Sequence, residues 1–344
     1  MTDTNDPYRT IGDSSDGESA VELKPGMVLN SKYELIEQIG RGGMGVVWKA
    51  RDIVGDRLVA LKFVPRDLQR FESEMQRVRD MFGKVHALNH QSICPLYNLE
   101  DGGTQIGHYL VMKYLEGETL SEFVTRFDPQ RKGLPFNKVA ALLSRVAKAL
   151  DYAHRYDVIH RDIKPSNIFL VKAGNRYEVQ IIDFGLAAEV RSSMLRVSQQ
   201  TQYDTAGTYP YMAPEQFRGR RQTAATDQYA LAVVAYELLA GHLPFEGDFK
   251  ILKEAVLNDK PETIRTIPND ANATLMKALA KDAVDRFGNC EAFVKAMGTP
   301  SPFAPEPPVE EEEDEEEDTD DKPRSSMLPS VVISVAFSLC LIRL

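Results

Sequence analysis

The stretch His160-Arg161-Asp162-Ile163-Lys164-Pro165-Ser166-Asn167, followed downstream by Asp183-Phe184-Gly185, decides how this sequence is read. Its residue types suit phosphoryl transfer. Asp162 can orient an acceptor hydroxyl and take its proton. Asn167 and Asp183 offer oxygen ligands to Mg²⁺, a hard cation that binds carboxylate, carbonyl and phosphate oxygen. Lys164 adds positive charge near the group in transit. The reaction needs mainly positioning and charge neutralisation, and this set supplies both. A purely structural role does not account for so many specified positions in order.

Working toward the N-terminus, Gly40-Arg41-Gly42-Gly43-Met44-Gly45-Val46-Val47 fits G-x-G-x-x-G-x-V, a nucleotide-covering loop. Glycines let backbone N–H groups approach phosphates with no Cβ in the way. The cluster lies between two strand-like segments, 33–39 and 46–50, and no helix follows it, which argues against dinucleotide binding. A third strand, 57–64, carries Val59-Ala60-Leu61-Lys62, with Lys62 placed to neutralise phosphate charge beneath the glycines. Lys62 needs a carboxylate to hold it. Phe71, Met75, Val78, Met81, Phe82 and Val85 mark one face of a helix. Of the two candidates, Glu72 and Glu74, the second falls within that apolar face, and an inward charge needs a buried partner. Glu74 is therefore the expected partner of Lys62.

Two further strands are expected at 94–99 and 108–114, with a join between lobes near Lys113–Gly117. From residue 135 the pattern is mainly helical. Val139, Leu142, Leu143, Val146, Leu150 and Ala153 form one stripe, and residues 226–240 are apolar on nearly all sides, as in a fully buried helix. The expected fold class is α+β and bilobal: a small antiparallel β-sheet lobe with one long helix (31–115) and a larger, mainly α-helical lobe (116–299).

The flanks read differently. Residues 1–30 are polar and acidic, as in a disordered leader. The net charge of −10 is misleading, because eleven of the twelve residues 310–321 are Asp or Glu. Such a run repels itself and stays solvated, so 300–324 reads as a Pro/acidic linker. Without that run the chain is close to neutral, and nothing points to nucleic acid. Residues 325–342 carry no charge and follow Lys322 and Arg324, which suggests a short C-terminal membrane anchor with the preceding domain cytoplasmic, the alternative being a wholly cytoplasmic chain. Three scattered cysteines exclude a disulfide framework or a CxxC metal site.

With these motifs in place the chain resembles the Hanks-type serine/threonine protein kinases, especially their bacterial branch. The Gly42-Gly43-Met44-Gly45 loop and Met212-Ala213-Pro214-Glu215-Gln216 are similar to that branch, and the likeness covers about residues 33–298. The resemblance implies a bilobal fold with ATP in the cleft and Mg²⁺, or alternatively Mn²⁺, as the metal. It implies nucleotide contacts from Ile39, Gly40 to Gly45, Val47, Ala60, Lys62, the gatekeeper Met112 and a hinge from Lys113 to Leu115. Lys164 with Thr208 resembles the serine/threonine class, whose substrates are proteins. Glu215 would pair with Arg286, and Asp227 would brace the backbone of His160–Asp162. In relatives the residue matching Arg161 receives an activation-segment phosphate, so autophosphorylation is expected at Thr201 or Thr205, with transient dimers as one route.

Some positions depart from the family pattern. Lys113 replaces an acidic residue, Ala232 replaces a glycine, and the helix with Glu74 is about two turns longer than usual. Two alternatives remain beside the active kinase. One is a pseudokinase scaffold, disfavoured by Lys62, Asp162, Asn167 and Asp183 being present together. The other is a small-molecule phosphotransferase, disfavoured by the Ala213-Pro214-Glu215 and Arg286 pattern.

Overall fold

The computed structural model describes residues 21–42, 45–174, 176–186, 189–190 and 208–298. Alternating apolar residues between positions 28 and 113 build a six-stranded antiparallel sheet in the order β1-β2-β3-β4-β6-β5. The strands are β1 (Val28–Leu29), β2 (Tyr33–Gly42), β3 (Gly45–Asp52), β4 (Arg57–Phe63), β5 (Leu96–Asp101) and β6 (His108–Lys113). Leu35, Trp48, Ala50, Val59, Leu61, Tyr109 and Val111 form one apolar cluster on this sheet. Tyr109 is its centre, with ring centroids 5.3 Å from Phe63 and 6.2 Å from Tyr33.

The leader expected over 1–30 needs a correction at its end. Residues 21–30 lie among the described residues, and Val28 and Leu29 pair with Glu34 and Tyr33. Leu29 is only 4% exposed. Leu35 donates its N–H to Met27 at 2.8 Å and accepts from Gly26 at 2.7 Å. The reason is the open edge of β2: two apolar residues, Met27 and Leu29, suffice to cover it, and backbone groups there gain partners. Residues 1–20 lie outside the described residues, as do 300–324 and the anchor expected at 325–342. Among the described residues no helix is long and apolar enough to cross a membrane.

Helix α1 (Arg66–Gln69) leads into the long α2 (Glu72–His86), which buries Met75, Val78 and Val85. After α3 (Gly103–Ile106) and β6, the chain enters a second, three-stranded antiparallel sheet of β7 (Gly117–Thr119), β8 (Ile168–Ala173) and β9 (Arg176–Ile181). Sequence periodicity did not anticipate this sheet, whose strands are short and surrounded by helices. Helix α4 (Leu120–Phe127) starts at a capping box in which Thr119 and Glu122 satisfy each other's backbone N–H groups.

The larger lobe is built on α5 (Phe136–His154) and α7 (Ala224–Ala240), separated by α6 (Pro214–Phe217). The whole α5 stripe, Val139 to Ala153, is buried. So is nearly all of α7, which explains why its sequence shows no polar face. Helices α8 (Phe249–Asn258), α9 (Asn269–Ala278) and α10 (Cys290–Gly298) complete the lobe. Its apolar core is continuous with Met75 and Val78 of α2. Each Leu or Val side chain buried in this shared core contributes about 1.5–3 kcal/mol, so apolar burial holds α2 to the larger lobe.

Candidate active site

The loop between α5 and β8 carries the motif quoted first, and a single carboxylate holds its backbone. Asp227, on the buried α7, accepts the N–H of His160 at 2.8 Å and of Arg161 at 2.7 Å. Its Oδ2 also lies 2.8 Å from Nε2 of His154. Asp227 is fully buried. Burial alone would raise its carboxyl, but the hydrogen bond and charge of His154 and the His160 N–H hold it below the usual carboxylate range. His154 responds in kind. Burial pushes the imidazole down, yet the nearby carboxylates of Asp151 and Asp227 outweigh it and raise the group to about 9. His154 stands between two carboxylates, with Nε2 at hydrogen-bond distance from Asp227 and Nδ1 3.6 Å from Asp151 Oδ1, beyond hydrogen-bond length. The same Asp151 accepts the backbone N–H groups of Cys290 and Glu291 at the start of α10.

His160 links this brace to the next motif. Its Nε2 sits 2.9 Å from the Ile182 carbonyl, and its ring packs edge-on against Phe184 at 4.7 Å. Arg161 and Asp183 both adopt left-handed backbone, with φ of 66° and 63°. Non-glycine residues held there cluster where function over-determines the geometry.

The groups that would face an acceptor hydroxyl are brought together. Lys164 Nζ donates to Thr208 Oγ1 at 2.7 Å and lies 3.3 Å from Asp162 Oδ2. The Asn167 amide nitrogen donates to the Asp162 carbonyl at 2.7 Å and to Asp162 Oδ2 at 3.1 Å. Both of those partners are acceptors, so the Asn167 carbonyl oxygen must point the other way.

The nucleotide-side residues come together through strand register. Val47 faces Lys62 across β3–β4, and Met112 faces Ala60 across β4–β6. Directly opposed residues share a sheet face, as do positions two apart. Val47, Ala60, Lys62 and Met112 therefore line one face. Gly40 and Gly42 pair with Val47 and Gly45 at the turn end of the β2–β3 ladder, and Arg41 pairs with Val46. Ile39 stands exposed just before them. Gly45 has φ of 121°, and a Cβ there would meet the Phe63 carbonyl at 2.2 Å, so glycine is required. Gly43 and Met44 lie outside the described residues. In the hinge, Lys113 N donates to Pro95 O at 3.0 Å, and Leu115 is buried.

One expected pairing is corrected. Lys62 Nζ pairs with Asp183 Oδ2 at 2.6 Å, not with Glu74. Glu74 is 8% exposed, with Arg77 at 3.7 Å. It stands in the first turn of α2, and the packing sets Asp183, not Glu74, within reach of Lys62 on β4. Two turns further along, Met81 rather than a carboxylate stands over the Asp183–Gly185 turn. A Cβ on Gly185 would meet Met81 Sδ at 3.0 Å.

Beyond the cleft, Glu215 receives two hydrogen bonds from Arg286, both 2.9 Å, and one from Thr226 at 2.8 Å. Burial would raise Glu215, but Arg286 holds its carboxyl below the usual range. Gln216 Nε2 returns to the Arg161 carbonyl at 3.2 Å. Thr201 and Thr205 lie outside the described residues. Sequence reasoning gave no special part to His154, Met81 or Glu189. Only the first carried a signal, a histidine one turn after Asp151 near the end of the core-facing helix that precedes the motif.

A sheet lobe with one long helix joined to a larger helical lobe, with the Lys62–Asp183 pair linking β4 to the Asp183–Gly185 turn, defines the protein kinase fold. The family model described as protein kinase domain matches residues 33–297, and the chain belongs to that family. The domain is of the bacterial Hanks type, similar to serine/threonine-protein kinase PrkC of Bacillus subtilis (32% identical over 271 residues, 77% of this chain and 40% of that protein). It is likewise similar to serine/threonine-protein kinase PknB of Mycobacterium leprae, 36% identical over 266 residues, 75% of this chain and 41% of that one. The crystal structure of the PknI kinase domain of Mycobacterium tuberculosis matches with a TM-score of 0.61 at 25% identity, covering 80% of this chain and 98% of that one. The chain spans about two fifths of the length of the curated relatives it matches.

Proposed function

We propose that this chain is an active serine/threonine protein kinase, transferring the γ-phosphate of ATP to Ser or Thr hydroxyls of proteins. The observation that carries the reading is the cluster of Asp162, Lys164, Asn167 and Thr208, joined to the Lys62–Asp183 pair through the Ile182 N–H, which donates to the Asn167 carbonyl at 3.0 Å. Asp162 orients the acceptor hydroxyl and takes its proton. Lys164, held on Thr208, offsets charge on the group in transit. Lys62 meets the nucleotide phosphates from the face it shares with Val47, Ala60 and Met112.

The donor set fits a divalent cation. Asn167 presents a carbonyl oxygen away from Asp162, and Asp183 a carboxylate, both hard ligands suited to Mg²⁺ or Mn²⁺. Magnesium-bound ATP supplies the phosphoryl group and neutralises its charge. Incubation with labelled ATP and Mg²⁺ tests the reading. Phosphate should reach a protein substrate with the wild type and fall by about 10²–10⁴-fold for Asp162→Asn, the span general-base catalysis supplies. Equal labelling by the two proteins, or none by either, removes the proposal and favours a scaffold.

Finer points follow on the same reading. Autophosphorylation at Thr201 or Thr205, through a transient dimer, rests on Arg161 and is tested by peptide mapping of 190–206. Anchoring of a cytoplasmic domain through 325–342 rests on that segment's lack of charge. Carbonate-resistant pelleting that survives deletion of 325–344 would exclude it.

A further inference from the structure

One cluster in the larger lobe unites three metal-ligating side chains from two helices. Asp151 and His154 stand one turn apart at the end of α5, and Cys290 opens α10. A carboxylate oxygen, an imidazole nitrogen and the thiol sulfur, one from each, lie within 4.8 Å of one another. Asp151 and Cys290 are buried, and the His154 side chain is 10% exposed. The imidazole is aimed. Its Nε2 lies 2.8 Å from Asp227 Oδ2, and since a carboxylate accepts, Nε2 carries the hydrogen. Its Nδ1 is buried without a hydrogen-bond partner among the described residues, 3.6 Å from Asp151 Oδ1. A metal-ligating histidine is held in this way, one nitrogen donating to a carboxylate and the other turned to the ion. The 3.6 Å separation is too long for a hydrogen bond but suits two ligands of one ion, because atoms bound to a tetrahedral zinc stand about 3.4 Å apart. Asp151 keeps lone pairs to spare, since its oxygens accept one N–H each, from Cys290 at 3.0 Å and Glu291 at 2.8 Å. The chain entering Cys290 is fixed by Gln228 of α7. That amide donates to the carbonyls of Phe287 and Asn289 at 3.0 and 2.8 Å and accepts the Phe287 N–H at 2.9 Å.

We propose that Asp151, His154 and Cys290 bind a structural Zn²⁺ ion, with the fourth position left to water. Thiolate and imidazole together select zinc over magnesium, so the site differs in chemistry from the oxygen donors Asn167 and Asp183. Loading forms bonds from the ion to an Asp151 oxygen, His154 Nδ1 and Cys290 Sγ. It releases to solvent the thiol proton and any proton on Nδ1, with no change of oxidation state. The ion ties α5 to α10. Through His154 it also steadies Asp227, whose carboxylate holds the backbone of His160 and Arg161. The ion takes no part in phosphoryl transfer, and the inference stands apart from the kinase reading.

The test uses the full chain, stripped with a chelator and titrated with Co²⁺ as a spectroscopic stand-in for Zn²⁺. A thiolate-to-cobalt charge-transfer band should grow to one equivalent, and Zn²⁺ should displace it. Cys290→Ser, which keeps the shape of the side chain, should remove the band and weaken Co²⁺ binding at least about tenfold. Zn²⁺ at about a hundred times its Kd should raise the thermal midpoint of the wild type by about 5–10 °C and leave that of Cys290→Ser nearly unmoved. Absence of the band in the wild type, or a band that survives Cys290→Ser, overturns the proposal. Should Cys290→Ser fail to fold, X-ray absorption of the zinc-loaded wild type decides. Sulfur at about 2.3 Å from the zinc supports the site, and a shell of nitrogen and oxygen alone overturns it. Slower amide hydrogen exchange over 160–162 on loading supports the link to Asp227, and unchanged exchange there overturns that link.

Discussion

The two sides of the cleft hold their charges in opposite ways. On the helical side, Asp227 serves two backbone N–H groups and His154, and Glu215 takes two bonds from Arg286 and one from Thr226. These groups are buried and multiply satisfied. On the sheet side, Lys62 makes one ion pair, to Asp183 across the cleft, and Glu74 meets Arg77 at the start of α2. The contrast teaches a division of labour. A buried carboxylate with several partners cannot move without leaving charges uncompensated, so the catalytic loop is a prebuilt scaffold. A lysine with one partner can be re-paired at little expense, so the nucleotide side is the adjustable half.

The largest effect expected from breaking this asymmetry is at Asp227. Asp227→Ala strands the His154 imidazolium and two backbone donors, and should cost about 3–5 kcal/mol in denaturant unfolding, enough to threaten folding altogether. Arg286→Ala should follow with a similar loss of about 3–5 kcal/mol, because Glu215 then remains a buried charge and, of its side-chain partners among the described residues, keeps only the Thr226 hydroxyl. Arg286→Lys, which loses the two-pronged geometry but keeps the charge, should lose visibly less. An ordinary core truncation calibrates both: Leu150→Ala, in the α5 stripe, should cost about 2–5 kcal/mol through transfer and cavity terms, with nucleotide affinity unchanged in the folded fraction.

The pH dependence is subtler. His154 is raised in the fold to about 9 from an ordinary 6.5, so its contribution is complete below about 6.5 and disappears as pH rises through 9. The stability gap between wild type and His154→Gln should therefore narrow between pH 7 and 10 in thermal melts. A constant gap would mean that the imidazole is neutral. The smallest effect belongs to the sheet side. Glu74→Gln, which keeps the side chain's shape and removes only its charge, should cost less in denaturant unfolding than Asp227→Ala or Arg286→Ala. A loss of more than about tenfold in nucleotide-dependent rate would instead show that Glu74 comes to Lys62 during turnover, which sharpens the comparison by making the mobile half the switch.

How much of this was readable beforehand varied with how local the cause was. The lobes, the buried α7 and the α5 stripe were plain because burial writes a period into the chain. The β7–β9 sheet and the ordered residues 27–29 were not. Their strands are too short to show alternation, and they exist because neighbouring edges need covering. Asp162, Asn167, Asp183 and Lys62 stood out as residue types at recognisable spacings. The identity of the lysine's partner did not, because it depends on where a long helix starts relative to a turn more than a hundred positions away in sequence.

Chemistry-bearing residue types and the binary pattern of lobes are properties of short stretches, so the order of amino acids was sufficient for them. Pairing is a property of distance between remote stretches. That Lys62 meets Asp183, that Met81 covers Gly185, that His154 stands between Asp151 and Asp227, and that Glu189 lies beside Arg161 were decided only when the helices packed. Electrostatic strength depends on separation and burial, and neither is written in the order of residues.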